Sequence, residues 1–293
     1  MDIIGHAKII KLLNNAIDKN AISHAYLFYG PENVGKFTLA LEFAKKLSDN
    51  GSAINPDLII IQPEIEEKKG IIKKRGIKID QIDDLRHQLS LSRSQGNYKI
   101  VIIDEAERMN KSAQNSLLKT LEEAGPGVVL ILVAHDQRRL LPTILSRCQK
   151  MRFGTVPDYG LMEELEKRGA EDKNDIIFWS LGRPGLMIRL AEEREELIFR
   201  KDALQELKKM FSLNVSERFA MAEEMAKDTE RLIKKIDLWL IIFREMILGR
   251  VVFARSDKRK VLFLLDQAEK TQELIKGTYS NVRLILENLV LNF

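Results

Sequence analysis

The sequence predicts an α/β domain built on a parallel sheet and followed by two helical domains. Short runs of wholly apolar residues alternate with helical patterns in the first half, a glycine-bearing loop follows the first run, and helical spacing takes over after about Pro157. Strands that are apolar along their whole length are what a parallel sheet covered on both faces requires.

The elements follow in chain order. Ile9, Ile10, Leu12, Leu13 and Ile17 recur at helical spacing, and His24 to Tyr29 reads as a buried strand ending at Gly30-Pro31. A helix is expected from Gly35 to Leu47, a strand at Leu58 to Ile61, and a helix around Gln81 to Leu91. Lys99 to Ile103 and Val128 to Val133 read as further strands, with a helix from Ser112 to Glu123 between them. Between Ile65 and Lys78 eight charged residues crowd around Gly70 and Gly76, which reads as a solvated hairpin or loop and carries no site. Apolar residues at helical spacing then run from Ala203 to Val290, and Gly182-Arg183-Pro184-Gly185 punctuates the stretch before them. The expected division is an α/β domain over 1–152, a small helical domain over 153–197 and a helical terminal domain over 198–293.

Composition narrows the function classes. With 47 basic and 43 acidic residues the net charge is only +4, so no global field draws the molecule onto DNA or an anionic membrane. The single cysteine, Cys148, excludes an internal disulfide framework and a multi-cysteine zinc site, and His6, His24, His87 and His135 lack metal-ligand spacing. No apolar stretch approaches the roughly 20 residues that cross a bilayer, and the first residues do not open a secretory signal. The expectation is a cytoplasmic protein with no membrane partner and no zinc.

The chemistry concentrates in two segments. Gly30-Pro31-Glu32-Asn33-Val34-Gly35-Lys36-Phe37-Thr38 lies between a strand and a helix, the context of a P-loop, in which backbone N–H groups and a lysine face phosphate oxygens. Gly30, Gly35 and Lys36 match. Phe37 replaces the hydroxyl that would ligate Mg²⁺, and Thr38 points elsewhere because one helical residue turns the side chain by about 100°. Asn33 stands where glycine is often used and tolerates the left-handed backbone better than most residues. Glu32 opposes phosphate. The second segment is an apolar strand ending in Asp104-Glu105, where Asp104 can hold Mg²⁺ and Glu105 polarise a water, or the pair can simply cap the next helix. Together they predict a P-loop nucleotide-binding fold, which does not itself guarantee turnover.

These residues resemble the AAA+ clamp-loader family. Ile4-Gly5-His6 and His24 to Pro31 resemble its opening, Asp104 to Asn110 with Ala113 to Glu123 its second motif, Leu141 to Gln149 its Ser-Arg-Cys segment, and Asn281 to Glu287 the end of its collar. The resemblance implies an AAA+ P-loop domain, a helical lid and a C-terminal collar that joins other loader subunits in a ring. It implies a complex of the DNA polymerase III holoenzyme that uses ATP to open the sliding clamp and place it on primed DNA. The family's non-motor members carry degenerate P-loops and supply the Ser-Arg-Cys arginine, here Arg147 between Ser146 and Cys148, to a neighbour's ATP site. The expectation is therefore no intrinsic ATPase and no required cofactor, with ATP and Mg²⁺ held by neighbouring subunits.

Two departures from the family bear on this. Its members usually carry four zinc-binding cysteines between the P-loop helix and the second strand, and this chain has none there. Gly185 stands near the place where motor subunits carry a phosphate-sensing arginine, and Arg183 is left without a role. The alternative is an ATP-hydrolysing motor of the same loader using Lys36, Asp104 and Thr38, which Phe37 and Asn33 oppose. A DNA-binding AAA+ protein unrelated to clamps is disfavoured by the Ser-Arg-Cys run. Read alone, Arg147 is equally a surface arginine, and Cys148 is a small buried hydrophobe.

Overall fold

The computed structural model describes residues 3–48, 56–68, 71–91, 97–252, 257–277 and 281–293, and side-chain surroundings outside 66–74. The segment where family members carry zinc ligands falls largely at 49–55, outside the described residues. The chain forms two compact units, Met1–Ala191 and Glu192–Phe293.

In the first unit, helix α1 (Ala7–Asp18), strand β1 (Ala25–Tyr29), helix α2 (Lys36–Leu47) and strand β2 (Leu58–Ile61) come first. They are followed by the hairpin of β3 (Ile65–Lys68) and β4 (Ile71–Lys74), then α3 (Ile79–Ser90), β5 (Lys99–Ile103), α4 (Lys111–Glu123) and β6 (Val128–Ala134). A four-residue helix α5 (Pro142–Leu145) and strand β7 (Gln149–Arg152) complete the sheet, and α6 (Asp158–Lys167), α7 (Lys173–Ser180) and α8 (Pro184–Glu192) follow. The five-stranded sheet has the order β2-β5-β6-β1-β7, and every pairing in it is parallel.

Successive strand residues point to opposite faces, and the sequence fills both. Tyr26, Phe28, Ile100, Ile102, Ile131 and Val133 pack with Leu13, Leu39 and Phe43 of α1 and α2. Leu27, Val101, Ile103, Leu130 and Leu132 pack with Ile82, Leu85, Leu117 and Leu121 of α3 and α4. This is why those runs are apolar throughout rather than alternating. Strand β7, at the edge of the sheet, escapes an apolar reading because three of its four residues are polar and exposed, with Met151 alone buried.

The second unit contains α9 (Arg194–Met210), α10 (Val215–Ala226), α11 (Thr229–Ile247), α12 (Lys258–Gly277) and α13 (Val282–Val290). Asn214 and Glu217 form a reciprocal capping box at the start of α10, and Asp228 and Asn281 cap α11 and α13. Trp239 is fully buried and donates from Nε1 to the Ala203 carbonyl at 2.9 Å, so its one polar group is satisfied inside the core. Phe293 packs edge-on against Phe211 and Trp239. Leu262, Phe263 and Leu274 of α12 and Leu284 of α13 remain exposed.

Candidate functional site

Parallel strands deliver their C-terminal ends to one edge of the sheet, and in this order β6 lies between β5 and β1. The loop after β1, the acidic pair after β5 and the first residue after β6 therefore converge. They line a cleft of about 400 Å³ that includes Glu32, Asn33, Lys36, Asp104 and His135.

The loop from Gly30 to Gly35 is held in an unusual backbone. Gly30 has φ 145°, and a Cβ there would lie 2.1 Å from the Phe153 carbonyl oxygen, so only glycine fits. Asn33 takes the left-handed conformation at φ 60°, and Gly35 at φ 92° precedes the first turn of α2. The Asn33 carbonyl accepts a hydrogen bond from the backbone N–H of Gly185 at 2.7 Å. A Cβ on Gly185 would press to 3.0 Å of that oxygen, so glycine lets the start of α8 rest on the loop. His6 Nε2 bonds the Val34 carbonyl at 2.8 Å, and burial pushes its ring pKa down against the pull of that carbonyl.

Lys36 is 3% exposed, and its ammonium donates to the carbonyls of Gly30 at 2.7 Å and Pro31 at 2.5 Å. Its third contact is His135 Nδ1 at 3.1 Å. Burial pushes the ammonium down to about 8, opposed by the charges of Glu107, Asp104 and Glu32. Asp104 accepts from the Glu105 backbone N–H at 3.0 Å and from Gln62 Nε2 at 3.3 Å. Glu105, in the left-handed conformation at φ 48°, is buried and paired with the Arg108 guanidinium.

Fitting Mg²⁺-nucleotide to this cleft tests the donor set. Asp104 offers an oxygen and the start of α2 offers N–H groups, but position 37, where the P-loop pattern has the metal-binding hydroxyl, is Phe. Both Phe37 and Thr38 border the cleft. The lysine is already engaged, and the carboxylate that would polarise a water is tied to Arg108. The donor set thus departs from the P-loop pattern for Mg²⁺-nucleotide at position 37.

The second candidate segment stands apart from this cleft. Pro142 starts α5, and Ser146 closes it, its hydroxyl donating to the Thr143 carbonyl at 3.0 Å. Cys148 is buried among apolar residues of the α3–α4 face, and burial pushes its thiol up to about 11, an inert group. Arg147, 36% exposed at its side chain, bonds Glu122 Oε1 at 2.5 Å and the Thr143 carbonyl at 3.0 Å. Buried Gln114 of α4 carries the segment: its Nε2 donates to the carbonyls of Met109 and Arg139, both at 3.1 Å, and its Oε1 accepts from the Leu141 N–H at 2.8 Å.

The cleft thus unites Asn33, Gly35, Lys36, Thr38, Asp104 and Glu105, Gly30 joins it only through the carbonyl that Lys36 binds, and Ser146, Arg147 and Cys148 form a separate segment. The sequence reading missed His135, Glu107, Gln114 and Glu122. A signal for His135 was present: it directly follows β6 as Asp104 follows β5, and ends of neighbouring parallel strands share one cleft.

A parallel sheet in this order with a loop of this form after β1, followed by a helical C-terminal part, defines an AAA+ P-loop protein. The fold is shared with a DNA polymerase III gamma subunit-related protein of Thermotoga maritima, at TM-score 0.54 and 19% identity over 95% of this chain and 97% of that one. Residues 5–157 match the family described as "DNA polymerase III, delta subunit", and the chain belongs to that family. It is similar to the DNA polymerase III subunit delta′ of Bacillus subtilis, 35% identical across 54% of this chain and 50% of that protein. It is also similar to the subunit tau of Bacillus subtilis, 26% identical across 84% of this chain and 49% of that protein. The chain spans about half the length of these relatives. The clamp-loader resemblance drawn from the motifs is borne out, with delta′ subunits among the relatives.

Proposed function

We propose that the chain is a non-motor subunit of a DNA polymerase III clamp loader that reaches with Arg147 into the ATP site of a neighbouring subunit. The observation that carries this reading is the contrast between a P-loop lacking the metal-binding hydroxyl at Phe37, with its lysine buried and engaged, and a partly exposed arginine in the Ser146-Arg147-Cys148 turn. A guanidinium is always charged and can contact two phosphate oxygens at once, which suits charge developing in phosphoryl transfer.

In this reading the subunit needs no nucleotide, Mg²⁺ or zinc of its own and works in the cytoplasm. Among the described residues no helix is long and apolar enough to cross a membrane. Its partners are the other loader subunits, met through a collar in the second unit whose exposed Leu262, Phe263 and Leu284 are available for burial. The sliding clamp and primed DNA are met through the complex.

Reconstitution of the loader with Arg147→Ala tests the proposal. Assembly stays intact, and the served site loses on the order of 10³ in rate, the lower range for arginine fingers acting in trans. The whole loader loses that site's share of DNA-stimulated ATPase. Arg147→Lys restores little, because the planar fork is lost with the guanidinium. Unchanged turnover with Arg147→Ala rejects the arginine's role. A second reading, a hydrolysing motor, draws on Thr38 bordering the cleft. It requires steady ATP turnover by the isolated chain that Thr38→Ala abolishes.

A further inference from the structure

We propose that His135 keeps the P-loop closed to nucleotide by holding the lysine proton that would reach a phosphate, so that removing its imidazole opens the cleft to nucleoside di- and triphosphates. This rests on reading the cleft as a P-loop and is independent of the non-motor role.

An ammonium has three donors. Two of those on Lys36 go to the Gly30 and Pro31 carbonyls and hold the loop to its own helix. The third goes to His135 Nδ1 at 3.1 Å. Because Nδ1 accepts, the ring proton sits on Nε2, which faces Glu32 Oε1 and Glu107 Oε1, each at 3.9 Å. The Glu107 side chain is 6% exposed, and its Oε2 is buried with no hydrogen-bond partner among the described residues. The lysine charge is thus answered from within, by an imidazole acceptor backed by carboxylates.

A phosphate entering this cleft has to replace His135 on Lys36 and to lie beside Glu32 and Glu107. Both steps oppose binding. The fold explains why a histidine can do this. Strand β6 lies between β5 and β1, so its first following residue is delivered between the acidic pair and the loop. With the ring removed, the third lysine donor and the N–H groups at the start of α2 face open space, the arrangement that receives phosphate.

The test is calorimetric titration of the full chain with ADP and ATP in the presence of Mg²⁺, on the wild type and on His135→Ala, His135→Ser, His135→Gln and Glu107→Gln. Circular dichroism checks the fold of each. The wild type binds in the millimolar range or not at all. His135→Ala and His135→Ser bind about ten- to a hundredfold more tightly, the range for regaining a hydrogen bond from a charged donor. His135→Gln keeps an amide oxygen as acceptor and stays near the wild type. The gain disappears when Lys36→Ala is added. Micromolar binding by the wild type, or a gain that survives Lys36→Ala, overturns the proposal. If Glu107→Gln binds while both small histidine variants do not, histidine is not the closing group and the P-loop reading stands. If no variant binds, both fall.

Discussion

Lys36 and Arg147 stand in the same α/β unit, each beside a helix that opens or closes on a short loop, yet the fold surrounds them differently. The lysine is buried, its ammonium facing two loop carbonyls and a histidine. The arginine is held by one carboxylate and one carbonyl near the surface, with its side chain 36% exposed. One region has kept the backbone of a phosphate cradle while turning its charge inward, and the other presents its charge outward. The difference teaches that P-loop residues also have an architectural role: Gly30 and Asn33 serve the loop's packing against Phe153 and Gly185 independently of any phosphate.

Stability registers the inward-turned charge, and this is the largest effect expected. Burial holds the Lys36 ammonium at about 8 in the folded chain, against about 10.4 in an unfolded one. Between these values the unfolded chain binds more protons, so stability rises with pH across that window, by up to about 3 kcal/mol. At pH 7 both states are protonated and the full penalty is present. Lys36→Met removes the dependence, so the difference between wild-type and variant urea midpoints shrinks from pH 7 to pH 10.5 in the wild type's favour. A constant difference would mean that the ammonium is better solvated than its surroundings indicate.

Gln114 sharpens the other side of the comparison. Its buried amide ties α4 to the chain on both sides of the turn that leads to Arg147. Gln114→Leu keeps the volume but strands two carbonyls and one N–H, costing about 2 kcal/mol. Because those groups support the outward segment, the variant lowers Arg147-dependent ATPase of a reconstituted loader as well as thermal stability. Lost stability with unchanged ATPase would assign Gln114 to packing alone.

What the sequence made legible follows from the same contrast. Strands β1, β2, β5 and β6 and the loop could be read because apolar runs and glycines are local signals, and Asn33 at φ 60° is where a left-handed residue was needed. Strand β7 was missed because it buries only Met151 and is polar elsewhere, whereas the other edge strand, β2, is apolar along its length. Lys36 could be placed at the cleft, but not its engagement, because His135 is 99 positions away and meets it only through the strand order. Glu122 likewise meets Arg147 across 25 positions. No spacing rule connects such pairs.

The smallest effect concerns that last pair, and it asks whether the outward arginine is held ready or held back. An exposed ion pair contributes roughly 0.2 to 1 kcal/mol, so Glu122→Ala barely changes stability. Its consequence for the arginine follows from rotamer freedom, since a guanidinium on an unrestrained stem must be ordered when phosphate arrives. Glu122 and the Thr143 carbonyl engage one N–H on each of Nη2 and Nη1 and fix the plane of the head. The expected outcome is a two- to fivefold fall in the Arg147-dependent part of loader ATPase with Glu122→Ala, about the worth of such a pair. Glu122→Gln retains an acceptor and loses less. Neither change has an effect in an Arg147→Ala background, which is what separates a positioning role from a structural one. A rise in rate with both variants would mean that the carboxylate competes with the neighbour's phosphate, and the outward arginine would then be restrained much as the inward lysine is.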